Sequence, residues 1–201
     1  MKVVSEFIYL GDMLSSGGGC TQAIIARTRV AWGKFKKLLP ILTNKHLSLE
    51  SRGRVFDACV RSALLHGSET WAPTAPDVQR LQRADRAMVR WICGAKLIDR
   101  VPTTELYALL GLEEISSAAG TRRLRWYGHV CRSPEDGPIA SVRVMEVEGN
   151  RGRGRPRKTW DECVRKDRKD RDLLDVDPND RPVWRSALYA SRLLHTPTKG
   201  T

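Results

Sequence analysis

The fold class is decided by the stretch Ser48-Leu-Glu-Ser-Arg-Gly-Arg-Val-Phe-Asp-Ala-Cys-Val-Arg-Ser-Ala-Leu-Leu-His-Gly67. Its apolar residues recur as adjacent pairs, one pair in each turn of a 3.6-residue period, which is the pattern of an amphipathic helix. The pairs are Val55/Phe56, Cys59/Val60 and Ala63/Leu64. Gly67 supplies a stop after the last pair. The stretch therefore predicts a helix that begins near Ser48 and buries one face.

Helical patterns continue on both sides of this stretch, and a strand pattern precedes them. The expected helices are 21–39, 77–93, 102–110, 113–130, 159–174 and 182–194. Residues 6–10 and the turn at Gly11-Asp12 predict a β-hairpin. Residues 132–158 are rich in Gly, Pro and Arg and predict an exposed linker. We expect a mainly α protein with four regions: a hairpin and Gly-rich loop (1–19), a helical domain (20–131), a basic linker (132–158) and a helical C-terminal region (159–201).

The charge balance favours a polyanionic partner. The 201 residues carry 35 Lys and Arg against 23 Asp and Glu, a net charge of +12, and 25 of the cations are Arg. Arg forms bidentate contacts with phosphate, so nucleic acid is the expected partner. The sequence has no long uncharged apolar run, and Glu6 and Asp12 interrupt the segment where a signal peptide needs one. We expect no membrane partner and an intracellular, nuclear location.

The residues that would hold a metal or carry out catalysis are sparse. The five cysteines lie more than thirty residues apart with no CxxC or CxxH spacing, which argues against a zinc finger. His129 and Cys131, with distant Cys163, are two residues apart on a helix and face different ways. Nucleotidyl transfer needs at least two converging carboxylates for paired Mg²⁺ ions, and the sequence has no Asp-Asp pair. We expect no catalytic residue, metal site or cofactor in this chain.

Basic residues concentrate in three places that are candidates for phosphate contact. They are Arg27, Arg29, Lys34, Lys36 and Lys37 on the first helix, Arg122, Arg123 and Arg125 on helix 113–130, and Arg151, Arg153, Arg155, Arg157 and Lys158 in the linker. The first set has no acid along its helix, which favours phosphate contact, although a solvated face is the alternative. Trp126, beside Arg125 and Tyr127, is a candidate for base stacking, with core packing as its alternative.

The linker segment 151–158 resembles an AT-hook. It carries five cations in eight residues, no acid, and the core Gly154-Arg-Pro156. In an AT-hook an extended Arg-Gly-Arg-Pro core lies along a narrow A·T minor groove, whose negative potential attracts Arg. Three interpretations stay open: non-specific phosphate contact, insertion into the minor groove, and a solvated linker with no nucleic-acid role.

Five motifs in order resemble the region downstream of the polymerase palm in LINE-like non-LTR retrotransposon reverse transcriptases. They are Tyr9-Leu10-Gly11, His66-Gly67-Ser-Glu69-Thr-Trp71, Leu124-Arg-Trp126-Tyr-Gly128-His129-Val130-Cys-Arg132, Gly154-Arg-Pro156-Arg-Lys-Thr-Trp160 and Asp180-Arg181-Pro-Val-Trp184. The resemblance spans essentially the whole chain. His66 stands where the family's YGxExW motif has Tyr, while Gly67, Glu69 and Trp71 match it.

The resemblance implies that Tyr9, Leu10 and Gly11 belong to a hairpin gripping the primer end, and that helices 21–94 form a thumb against the template–primer duplex. It implies motif or structural roles for Gly67, Glu69, Trp71, Trp126, Gly128, His129, Arg132, Trp160 and Trp184. It also implies that the catalytic palm, with its Mg²⁺, would lie before Met1. The expected partner is an RNA/DNA template–primer or duplex DNA. The alternatives are a free-standing DNA-binding protein with an AT-hook-like arm and a domesticated or inert fragment.

Overall fold

A β-hairpin opens the part of the chain that the computed structural model describes. The described residues are 6–9, 12–16, 18–145 and 158–194. Strand β1 (Glu6–Tyr9) pairs with antiparallel β2 (Asp12–Ser15), with Ile8 opposite Met13. Met13 packs against the helical core, whereas Ile8 is exposed. The sequence predicted this hairpin from the alternation and the turn.

Helices make up most of the described residues, which confirms the mainly α class. They are α1 (Thr21–Leu42), α2 (Leu49–Val55), α3 (Ser62–Leu64), α4 (Ala75–Cys93), α5 (Thr103–Leu110), α6 (Ile115–Cys131), α7 (Pro138–Val144), α8 (Trp160–Lys169) and α9 (Arg181–Leu194). A π-helical segment, Phe56–Arg61, joins α2 to α3, so the stretch that decides the fold is helical from Leu49 to Leu64. Its N-cap is Ser48, whose hydroxyl accepts a hydrogen bond from the Ser51 N–H at 3.1 Å.

Several helix boundaries differ from those expected. Helix α1 continues through Pro40 to Leu42; proline lacks an N–H and weakens a helix, but Leu42 is fully buried and stabilises the last turn. The N-cap of α4 is Thr74, with Asp77 completing a capping box instead of acting as the cap. Helix α8 ends at Lys169 because the chain turns back, and the Leu173 N–H donates to the Arg168 carbonyl at 2.8 Å.

The linker expected over residues 132–158 contains a helix. Helix α7 begins at Pro138, directly after Gly137, and ends at Val144. Proline is well suited to the first position of a helix because no intrahelical partner awaits an N–H there. Seven residues of the expected linker are therefore helical, and the sequence did not indicate them because two turns are too short to display an apolar period.

Two hydrophobic clusters form the core. The first lies among α1, the α2–α3 helix, α4 and α5, and contains Phe35, Phe56 and Met88, all fully buried. The second joins α6 to α8, α9 and the turn after α8. Its members are Leu124, Val164, Leu173, Trp184 and Leu188. Helix α6 contributes Ile115 to the first cluster and Leu124 to the second. The C-terminal helices therefore share a core with α6.

A buried ion pair crosses the first cluster. Arg61, in the π-helical segment, is 1% exposed and donates from Nε and Nη2 to the two carboxylate oxygens of Asp85, at 2.8 Å each. The Tyr107 hydroxyl donates to the same carboxylate at 2.7 Å. Burial tends to lower the pKa of Arg61, but the adjacent carboxylate outweighs it and the pKa is raised. Burial, together with Asp85, raises the pKa of Tyr107. The group ties the α2–α3 helix to α4 and α5.

Candidate nucleic-acid interface

The outer face of α1 carries a concentrated positive charge. Arg29, Lys34, Lys36 and Lys37 are exposed and Arg27 is half-buried. Helix α1 has no Asp or Glu over Thr21–Leu42. At 1.5 Å per residue, the set spans about 15 Å of the helix, and a nucleic-acid strand places about four phosphates in that length. The face can therefore contact several successive phosphates.

Core packing on the opposite side of α1 determines the direction of this face. Ile24, Ala31 and Phe35 are fully buried or nearly so. The Phe35 ring makes edge contacts with Phe56 and Trp91, with centroids 6.2 and 5.7 Å apart. Since these contacts hold α1 against the bundle, its lysines and Arg29 are held towards solvent.

The three arginines of α6 lie in different environments. Arg123 is buried, donates from Nε to the Trp71 carbonyl at 3.2 Å and forms an ion pair with Asp167. Arg122 is half-buried and donates to the Leu65 carbonyl at 3.1 Å. Only Arg125 of the three is exposed. The prediction that all three contact phosphate is corrected for Arg123, because one residue along a helix turns a side chain by about 100°.

Asp167, the partner of Arg123, is itself mostly buried. Burial raises the pKa of its carboxyl group, and the Arg123 guanidinium offsets part of that increase. Arg171 lies in the same region and donates to the Ser117 carbonyl at 2.7 Å. These side chains bind α6 to α8 and the turn that follows, so their role in the described residues is structural.

Several motif residues meet at the junction between α6 and the C-terminal helices. The Trp160 indole donates to the Glu69 carbonyl at 2.8 Å, although the two residues are 91 positions apart. The Tyr127 ring lies between two indoles, with centroids 6.2 Å from Trp160 and 6.0 Å from Trp184. Gly67 adopts φ +77°, a left-handed conformation that favours glycine, and it precedes the turn carrying Glu69.

Gly128 is the point of closest approach in this junction. A Cβ atom at this position would lie 2.5 Å from Nε1 of Trp184, closer than non-bonded atoms allow. The same Nε1 atom donates a hydrogen bond to the Leu124 carbonyl at 3.2 Å. Arg132 donates to the Pro178 carbonyl, and its Nη1 would lie 3.0 Å from the same Cβ atom. The motif glycine is therefore required for Trp184 to pack against α6.

The remaining candidate residues are exposed or lie outside the described ranges. Trp126 is half-buried and makes a tilted ring contact with exposed His129, with centroids 5.0 Å apart. Tyr9 is 59% exposed. Lys158 is exposed as well. Leu10, Gly11, Arg151, Arg153, Arg155 and Arg157 lie outside the described residues.

Within the described ranges, no three His, Cys, Asp or Glu side chains lie together in a way that would hold a metal ion. Among the same residues, no helix combines the length and the apolar character that crossing a bilayer requires.

Sequence reasoning missed a second basic surface. Arg181 and Arg185 on α9 line a groove with Arg125 of α6 and with Arg132, the residue that follows α6. Arg185 and Tyr189 are four residues apart on the expected helix 182–194, and Arg181 lies four residues before Arg185, a spacing that indicated a shared face. Nothing local to the sequence indicated that this face lies beside α6.

One relative is informative about origin. The chain is 26% identical over 178 residues to a Caenorhabditis elegans protein described as transposon-derived and uncharacterized. The alignment covers 84% of this chain and 62% of that protein. The similarity supports a transposon-related origin. No protein-family profile and no solved structure match the chain.

Proposed function

We propose that this chain is the thumb and downstream region of a LINE-like non-LTR retrotransposon reverse transcriptase, and that it holds the template–primer duplex. The acid-free basic face of α1 carries the proposal, because a surface of this charge and length suits the backbone of a duplex. The five ordered motifs and the similarity to a transposon-derived protein support the same origin. The partner is an RNA/DNA template–primer, and the function is binding.

The basic face acts through charge and carries no base specificity. Lysines and arginines on a helix surface contact phosphates, which are the same for every sequence. Four phosphate contacts would release counterions and give a slope of about −3.6 in log affinity against log salt concentration, from about −0.9 per contact on B-form duplex. We therefore expect binding that tolerates sequence changes and weakens steeply with salt.

The test compares two variants of equal charge for binding to a fluorescein-labelled RNA/DNA hybrid, measured by anisotropy at several salt concentrations. The first variant replaces Arg29, Lys34, Lys36 and Lys37 with Ala. The control replaces four exposed cations elsewhere: Arg80, Arg83, Arg165 and Lys169. The α1 variant should lose most of the affinity and most of the salt slope, and the control little of either. Equal losses in both variants would contradict the proposal.

Two further measurements separate this proposal from its alternatives. The chain should not extend a primed template with Mg²⁺ and nucleotides, and extension above a protein-free blank would contradict a purely binding role. On bare A·T-rich duplex DNA, replacing Arg153, Arg155 and Arg157 with Ala tests the AT-hook alternative. If those changes cost more affinity for the hybrid than the α1 changes do, the arm and not the thumb is the main contact.

A further inference from the structure

The groove between α6 and α9 has apolar residues at its base and arginines along its sides. Its volume is about 460 Å³. Trp184 and Leu188 line it and are 2% and 5% exposed, so they form the floor. The sides are formed by Arg125 of α6 with Arg132, which directly follows that helix, and by Arg181 and Arg185 of α9. Tyr189, which is 66% exposed, stands at the rim.

Within the described ranges, the arginines of this groove have no neutralising partner. None of the described residues that line the groove carries a carboxylate. Among the described residues, Arg125, Arg181 and Arg185 form no salt bridge, in contrast to Arg61, Arg86 and Arg123, which all do. The neighbouring acid, Asp180, caps α9 by accepting a hydrogen bond from the Val183 N–H at 3.0 Å. Four guanidinium groups held around one groove without counter-charge favour an anionic ligand with several negative groups.

The groove is rigid where a ligand would rest. Trp184 cannot turn, because its indole donates to the Leu124 carbonyl and its ring occupies the space left by Gly128. Arg132 is held at one end by its hydrogen bond to the Pro178 carbonyl. Because the floor and one wall of the groove are ordered before binding, the protein loses less conformational entropy when a ligand binds.

The combination of arginines with an exposed aromatic ring identifies the class of ligand. Surfaces that bind single-stranded nucleic acid combine a positive groove, which follows the phosphates, with aromatic side chains on which bases stack. Two arginines on each side exceed what one phosphate requires and suit successive phosphates of a strand. Tyr189 offers a ring to an unpaired base, whereas a duplex would keep its bases stacked inside.

We propose that the groove between α6 and α9 binds a single strand of RNA or DNA, with its arginines on the phosphates and Tyr189 stacked on a base. This site lies on helices other than α1. It goes beyond the proposed template–primer contact and does not depend on it. In the chain's proposed setting, it would hold the unpaired part of a nucleic acid beside a duplex.

The experiment measures binding of the full chain to fluorescein-labelled oligo(dT) and oligo(U) of fifteen nucleotides by anisotropy. Replacing Arg125 and Arg185 with Ala should lower the magnitude of the salt slope by about 1.4, from about 0.7 per phosphate contact on a single strand. The matched control replaces exposed Arg165 and Lys169 with Ala and should leave the slope unchanged. An unchanged slope in the groove variant, or an equal change in the control, would overturn the proposal.

Tyr189 gives an independent test of the stacking step. Tyr189→Ala should weaken oligonucleotide binding about 5- to 150-fold, the range that corresponds to loss of one stacked base. Tyr189→Phe, which keeps the ring, should stay within about 2-fold of the wild type. Equal losses in the two variants would refute stacking. All three substituted residues are exposed, so folding is not at risk.

The two proposals can fail separately. The groove variant should keep its affinity for the RNA/DNA hybrid, and the α1 variant should keep its affinity for the oligonucleotides. If the groove variant loses only hybrid affinity, the groove is part of the duplex contact and the single-strand proposal is wrong. If the α1 variant alone loses oligonucleotide affinity, the single strand binds to α1 and the groove proposal is likewise wrong.

Discussion

Replacing Asp85 with Ala is expected to destabilise the protein more than any surface change, because it leaves a guanidinium buried without its partner. Arg61 is 1% exposed and donates two hydrogen bonds of 2.8 Å to Asp85. Tyr107 donates a third at 2.7 Å. The variant keeps all three donors and removes both acceptor atoms. Among the described residues, Arg61 keeps one other acidic partner, Asp57, whose Oδ1 lies 3.7 Å from Nη1 and whose side chain is 47% exposed.

The magnitude follows from the burial of the group. Removing one partner of a buried pair costs about 3 to 5 kcal/mol of unfolding free energy, and a buried hydroxyl left without an acceptor costs about 1 to 3 kcal/mol more. Asp57 offsets a part of this loss by screening Arg61. The two losses together amount to about 4 to 8 kcal/mol, and we expect Asp85→Ala to fall in the lower half of that range, at about 4 to 6 kcal/mol. A domain of this size has a total of about 5 to 15 kcal/mol, so the variant is near the limit of folding.

The assay is urea denaturation followed by far-ultraviolet circular dichroism at neutral pH. Asp57→Asn is the control and should cost less than about 1 kcal/mol, since its carboxylate is half-exposed. The triple variant Arg61→Met, Asp85→Leu, Tyr107→Phe removes the charges together and should stay within about 2 kcal/mol of the wild type. A loss below about 1.5 kcal/mol for Asp85→Ala would refute the reasoning, as would a triple variant less stable than Asp85→Ala.

Three further predictions concern the junction and the core. Gly128→Ala should lower the free energy of unfolding by about 1 to 3 kcal/mol, because its Cβ would meet an indole nitrogen at 2.5 Å. The control is Gly33→Ala, at a position on α1 with open space around it. It should leave the free energy of unfolding unchanged or raise it by up to about 1 kcal/mol. Equal shifts in melting temperature for Gly128→Ala and Gly33→Ala would contradict the packing of Trp184 against Gly128. Trp160→Phe should lower the free energy of unfolding by about 0.5 to 1.5 kcal/mol, because it removes the hydrogen bond to the Glu69 carbonyl. The same urea titration measures this change, and an unchanged free energy of unfolding would argue against the contact. Burial raises the pKa of the Cys20 thiol to about 11. The folded state then keeps a proton that the unfolded state releases, so stability falls as pH rises from about 9 to about 11. Cys20→Ala should flatten that fall in a pH series of unfolding curves.

Local patterns in the sequence determined which segments are helical and where the charge lies. The apolar period of residues 48–67 is a property of the segment alone, as are the hairpin turn and the acid-free run of cations on α1. These features depend on residues that are two to four positions apart, and the sequence alone contains that information. Two features could not be predicted in this way. Helix α7 is too short to show an apolar period, and the π-helical segment Phe56–Arg61 has the same apolar pattern as an α-helix.

Tertiary structure decided which of the candidate residues face solvent and which meet. Arg123 and Arg125 are indistinguishable in the sequence, yet one is buried against Trp71 and the other lines a groove. The contact of Trp160 with Glu69 joins residues 91 positions apart. Gly128 is required for Trp184 to pack, and that packing brings the arginines of α9 beside those of α6. Contacts of this kind depend on how whole helices pack, and helix packing is set by the sum of many weak apolar contacts between distant segments, which no local pattern encodes.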